Sequence, residues 1–148
     1  MPYDPAVLFG SGETARHGRQ AQELVLKRLP VPARVAILET PAGFQPNVGY
    51  VTAKLRTFVE HNLQNYRPNV TVVPARGIGN PGADPNDPAV AVELDSATYM
   101  VAGPGSPTYT ARTLAGSMTL ERKARPRRSG RLTGAAPVAA PTTAPRFL

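Results

Sequence analysis

Short unbroken apolar runs alternate along this chain with stretches in which apolar residues recur every three or four positions, and that alternation predicts most of its elements. Residues 6–9 (AVLF), closed by Gly10, read as a buried parallel strand. After GSGETARHGR comes a helical stretch with Ala21, Leu24, Val25 and Arg28 on one side, ended by Pro30 and Pro32. Residues 34–40 (RVAILET) are the clearest strand, stopped by Pro41. Asn47 stands where it can cap a helix whose apolar face runs Val51, Leu55, Phe58, Val59, Leu63 and Tyr66. Residues 70–73 (VTVV) are a third strand. The polar loop PARGIGNPGADPND then leads to Asp87 and Pro88, a capping residue and a first-turn proline that open a short helix through about Leu94. Residues 97–102 (ATYMVA) are a fourth strand running into GPGSP. There Ser106 caps, and Pro107 begins, a helix through about Leu114, with Gly116 as its stop.

The order β-α-β-α-β-α-β-α, with continuous apolar strands, predicts one α/β domain: a four-stranded parallel sheet with helices on both faces. Past Thr119 the pattern dissolves into Arg, Pro, Ala, Gly and Thr. Residues 118–148 hold few large apolar side chains (Met118, Leu120, Leu132, Val138, Phe147 and Leu148). Such a segment cannot bury enough surface to offset an ordering cost of about 1–2 kcal/mol per residue. The expected division is therefore a folded unit over 1–117 and a disordered or loosely attached tail over 118–148.

Charge sharpens that division. The net charge is +7, but residues 1–120 hold ten Lys and Arg against nine Asp and Glu, and the last 28 residues carry +6. There is no cysteine, which excludes a disulfide framework, a thiolate zinc site and a cysteine nucleophile. His17 and His61 have no ligand partners near them in sequence, so neither a metal nor another cofactor is expected. No apolar run approaches the roughly 18–20 residues of a membrane span. The opening MPYDPAVLFG has neither the basic nor the long apolar region of a signal peptide, which makes the cytoplasm the expected location.

Ligands of such sheets bind at the carboxyl ends of the strands, where two glycine-rich loops fall. The first, GSGETA at 10–15, matches the loose dinucleotide pattern G-x-G-x-x-G/A, and Glu39 mimics its ribose-binding acid. Against a dinucleotide, Glu39 stands further along than the usual ~20 residues, and Glu13 puts a carboxylate at a helix start that should welcome pyrophosphate. The plainer reading of Gly10, Gly12 and Glu13 is a tight turn whose acid favours the helix dipole by about 0.3–1 kcal/mol. The second loop is VAGPGSPTY at 101–109. Gly103, Gly105 and Ser106 form either a tight turn or a backbone anion or oxyanion site at a capped helix start.

Taken together, the GSGE loop after the first strand, ILETPAGFQPN after the second and GPGSPTY after a later strand resemble the class I glutamine amidotransferase-like superfamily. The nearest branch is the serine-peptidase family of cyanophycinase and aspartyl dipeptidase. The resemblance spans roughly residues 5–117, the amino-terminal half of such a protein. It implies a flavodoxin-like sheet in a truncated half-domain, a hydrolase ancestry and a small peptide or amide ligand. It also implies that Gly103 and Gly105 belong to the loop whose backbone N–H groups stabilise an oxyanion, and that Glu13 matches an acidic position of the first loop.

The chain departs from that family where the chemistry should be. The family's nucleophile stands on a sharp turn after the next strand, expected here near residues 125–130, with a histidine later. Instead the sequence reads RPRRSGRLTGAAPVAAPTTAPRFL, with no β-run and no histidine. A serine nucleophile needs a neighbouring base, so no catalytic residue is assigned and the chain is expected to be inactive. Two accounts of the tail stay open. GC-rich DNA read out of frame yields Arg, Pro, Ala and Gly, so the frame shifts near residues 117–119. Alternatively, the tail is a basic arm for nucleic acid or acidic surfaces, although it has no interleaved aromatics and no nucleic-acid module before it. A half-domain is also expected to expose a sheet edge, through which copies self-associate.

Overall fold

The computed structural model describes residues 6–8, 14–124 and 132–135. Its elements are β1 (Ala6–Leu8), α1 (Arg16–Leu26), β2 (Arg34–Leu38), α2 (Val48–Asn62), β3 (Asn69–Val73), α3 (Pro88–Ala91), β4 (Tyr99–Ala102), α4 (Pro107–Leu114), α5 (Met118–Ala124) and β5 (Leu132–Ala135). All strand pairs are parallel, in the order β1-β5-β4-β2-β3. The fold is the expected flavodoxin-like α/β sheet with helices on both faces.

β2 shows how the core divides. Its side chains alternate across the sheet. Val35 and Ile37 join Tyr99, Val101, Leu55, Phe58 and Val59 on the face covered by α1 and α2. Ala36 and Leu38 join Met100, Val90, Leu94 and Leu114 on the face covered by α3 and α4. The two faces reflect one reversal of direction. The chain steps outward from β1 through β2 to β3 with helices on the first face, then back through β4 to β5 with helices on the second. Right-handed crossovers require that change of face. Tyr99 is fully buried, and its hydroxyl has no hydrogen-bond partner among the described residues; burial pushes its pKa up.

Most predicted boundaries hold. Asp87 caps α3 by accepting from the Ala89 N–H at 2.9 Å, and Gly116 takes a left-handed φ of 66° after α4. Asn47 occupies the cap position of α2 but makes no capping hydrogen bond. The face predicted for α1 is rotated: Gly18, Gln22, Val25 and Leu26 are buried, whereas Leu24 is 66 % exposed. A polar glutamine and a glycine on the buried side conceal that stripe.

The larger correction concerns the segment read as a disordered tail. Thr119 is buried, as is Ser117 just before that segment. The Ser117 hydroxyl accepts from the Leu120 N–H at the start of α5, and Thr119 donates through its hydroxyl to the Pro85 carbonyl at 2.7 Å. The sheet also has a fifth strand. Leu132–Ala135 lies between β4 and β1, with Thr133 opposite both Met100 and Ala6. Residues 125–131 and 136–148 of the tail lie outside the described residues.

Candidate functional site

The loop leaving β2 leads to α2 on one face, and the loop leaving the adjacent β4 leads to α4 on the other. Between two such strands the carboxyl edge opens into a crevice, the usual ligand position of open α/β sheets. Here the crevice falls between Glu39–Gly43 and Gly103–Ser106.

These loops are locked together. Leu38 hands the chain to Glu39 and a 3₁₀ turn, Thr40–Ala42. The Ser106 N–H donates to the Pro41 carbonyl at 2.8 Å. Gly105 lies so close that a Cβ there would sit 1.9 Å from the same oxygen. The loop after β3 joins them: the Thr40 hydroxyl donates to the Ala75 carbonyl at 2.6 Å, and a Cβ on Gly43 would sit 2.2 Å from the Arg76 carbonyl. That carbonyl also accepts from the Tyr109 hydroxyl at the start of α4, and the Tyr109 ring lies 4.9 Å from that of Phe44.

Glu39 is the ionic centre of the lock. It is 5 % exposed. One carboxylate oxygen accepts from the Thr52 hydroxyl on α2 at 2.7 Å, and the other from Arg76 Nε at 2.6 Å. The hydrogen bond to Glu39 holds the Arg76 pKa above its ordinary value. Further out, Asp84 accepts from the N–H groups of Asn86 and Gly79, each at 2.8 Å, and these bonds lower its pKa.

Gly10, Gly12 and Glu13 lie outside the described residues. Ser106 caps α4 as expected, its hydroxyl accepting from the Tyr109 N–H at 3.1 Å. The backbone donors of its loop are less free than the resemblance implies. The Gly103 N–H continues the sheet ladder to the Leu38 carbonyl at 3.2 Å, and the Ser106 N–H is held by Pro41. Pro104 has no N–H. Gly105 therefore carries the one N–H of this loop without a hydrogen bond to a described residue. Glu39 does not present a carboxylate to a ribose, because both its oxygens serve Thr52 and Arg76. His17 and His61 are both exposed. Sequence reasoning missed Arg76, Thr52 and Tyr109; the one available signal was a glutamate closing an otherwise apolar strand, which demands a buried partner.

Among the described residues no group of three or more His, Cys, Asp or Glu is placed to hold a metal ion. Nor is any helix among them long and apolar enough to cross a membrane.

No protein-family model matches this chain, and no curated protein does. Among solved structures, it is similar to the crystal structure of a peptidase from an acI-B1 Actinobacterium. The TM-score is 0.68 at 16 % identity, over 88 % of this chain and 52 % of that one. The chain thus has a peptidase-like α/β fold and spans about half the length of that peptidase.

Proposed function

We propose that the chain is a class I glutamine amidotransferase-like scaffold of the cyanophycinase and aspartyl dipeptidase type, built for hydrolysing amide bonds in small peptides and catalytically silent as written. The observation that carries the reading is the crevice between β2 and β4, with the Gly103–Ser106 loop clamped on Pro41 and the Gly105 N–H without a hydrogen bond to any described residue. Fixed backbone donors at such a place suit a developing oxyanion.

Silence follows from what accompanies that loop. In the resembling family the nucleophile stands after the next strand. Here the next strand is β5, and the residues after it in sequence are Ala136 and Pro137, with Thr142 the first hydroxyl beyond them. Ser106 uses its hydroxyl to cap a helix, and neither histidine follows the strand. Without a nucleophile beside a base, acyl transfer has no first step.

Two measurements test the reading. Incubation with an aspartyl dipeptide should release no free amino acid above buffer; hydrolysis lost in Ser106→Ala would overturn the silence. The same dipeptide should shift the backbone amide resonances of Gly103, Gly105 and Ser106, and an unmoved loop would overturn the scaffold reading. The reading-frame account of the tail is tested on the gene. After about codon 117, one alternative frame should encode an apolar strand, a small-residue turn bearing Ser or Cys, and a later His.

A further inference from the structure

A cavity of about 180 Å³ opens beside Pro104, on the α2 side of the crevice. Thr14 walls it from the start of α1, Pro104 from the loop after β4, and Asn47, Tyr50, Val51, Lys54 and Leu55 from α2. The α2 residues recur at helical spacing, so a single face of the helix lines the cavity. Leu55 is its buried floor; a Cβ on Gly103 would lie 4.0 Å from the Leu55 side chain. The cavity therefore adjoins the clamped loop.

Its chemistry is one-sided. Leu55, Val51, Pro104 and the Tyr50 ring give it an apolar wall, and Tyr50 is 71 % exposed, unlike a core aromatic. Among the described residues Lys54 is the only charged one lining it, and it forms no ion pair with another of them. The Asn47 side chain is likewise not used to cap its helix. An apolar cavity of about 150 Å³ takes a benzene-sized group, so this one suits a single apolar side chain. Tyr50 and Lys54 also wall a more open depression of about 340 Å³ with Ala53 and Thr57, which leaves room beyond that first group.

We infer that this cavity is a subsite for a small carboxylate carried on an apolar body, with the body against Tyr50, Val51 and Leu55 and the carboxylate on Lys54. The inference deepens the hydrolase reading, on which it rests for the ligand being part of an amide substrate. A free carboxylate two or three bonds from an apolar side chain is what a terminal Leu or Phe of a short peptide offers. Lys54 recognises it as a point charge without bidentate geometry.

The test is binding to the full chain, followed by amide resonances of α2, with N-acetyl-leucine and its uncharged amide as probes. The acid should bind about fivefold more tightly than the amide, the upper range for a partly exposed ion pair. Added salt should narrow that preference. Lys54→Met should abolish it and Lys54→Arg restore it, while Tyr50→Ala should weaken acid and amide alike. Equal binding of the two probes, no saturable binding of either, or an undiminished preference in a folded Lys54→Met variant would overturn the subsite. If the acid preference fails while an aspartyl dipeptide still shifts the Gly103–Ser106 loop, only the subsite falls. If the preference holds and the loop stays unmoved, only the hydrolase reading falls.

Discussion

β2 and β5 both run inside the sheet with a parallel neighbour on each side, yet they are built from opposite materials. β2 is RVAIL, with Val35, Ala36, Ile37 and Leu38 each no more than 2 % exposed and divided between two apolar cores. β5 is LTGA, with a threonine and a glycine at its centre. A strand with a small and polar centre is therefore still paired through its backbone on both sides, because each neighbour offers a continuous row of donors and acceptors. Side-chain burial then decides how much the strand contributes.

The sharpest way to break the comparison is Thr133→Pro. Thr133 pairs with strands on both sides. Proline there removes a ladder N–H and leaves the facing carbonyl without its donor, a penalty of about 1–3 kcal/mol. The cooperative thermal transition seen by circular dichroism should be lost or fall steeply. An unchanged transition would mean that β5 is not seated as described. In β2, Ile37→Ala tests burial instead. It should cost about 2–5 kcal/mol, read from the urea midpoint at constant m-value.

Gly105→Ala moves the question to the carboxyl edge. Its methyl would collide with Pro41, which is backbone and cannot swing aside. A loss of about 1–3 kcal/mol is expected, with amide shift changes concentrated at residues 39–43 and 103–109. Changes confined to residue 105 would show the clamp to be loose. The smallest effect is expected at Tyr99. Its buried hydroxyl has no partner among the described residues, so Tyr99→Phe should be neutral or stabilise by up to about 1 kcal/mol. A clear destabilisation would point to a partner for that hydroxyl.

The same contrast explains what was legible in the sequence. The α2 stripe, the apolar run of β2 and the caps at Asp87 and Ser106 are local signals, each contained within a few residues, and the fold realises them. β5 carries no such signal, since its placement depends on β4 and β1 rather than on LTGA itself. Of the two glycine loops expected at the carboxyl edge, most of the first lies outside the described residues, and only the second, Gly103–Ser106, borders the crevice. The clamp on it was not foreseen, because Gly105 against Pro41 and Glu39 against Arg76 are contacts between distant segments. Glycine spacing reveals a turn; it does not reveal which carbonyl the turn will meet.

The position of β1 has a consequence for how this chain reaches its fold during synthesis. β1 pairs only with β5, Ala6 lying opposite Thr133. β2, β3 and β4 form a mutually paired group that is complete once residue 102 has emerged. Of these five strands, the first to leave the ribosome is therefore the last to find a partner. At about 5–20 residues per second, several seconds pass between the emergence of β1 and that of β5. Throughout that interval AVL has no ladder of its own, and the long loop between Ala6 and Thr133 makes its late closure the slow, non-local step of folding.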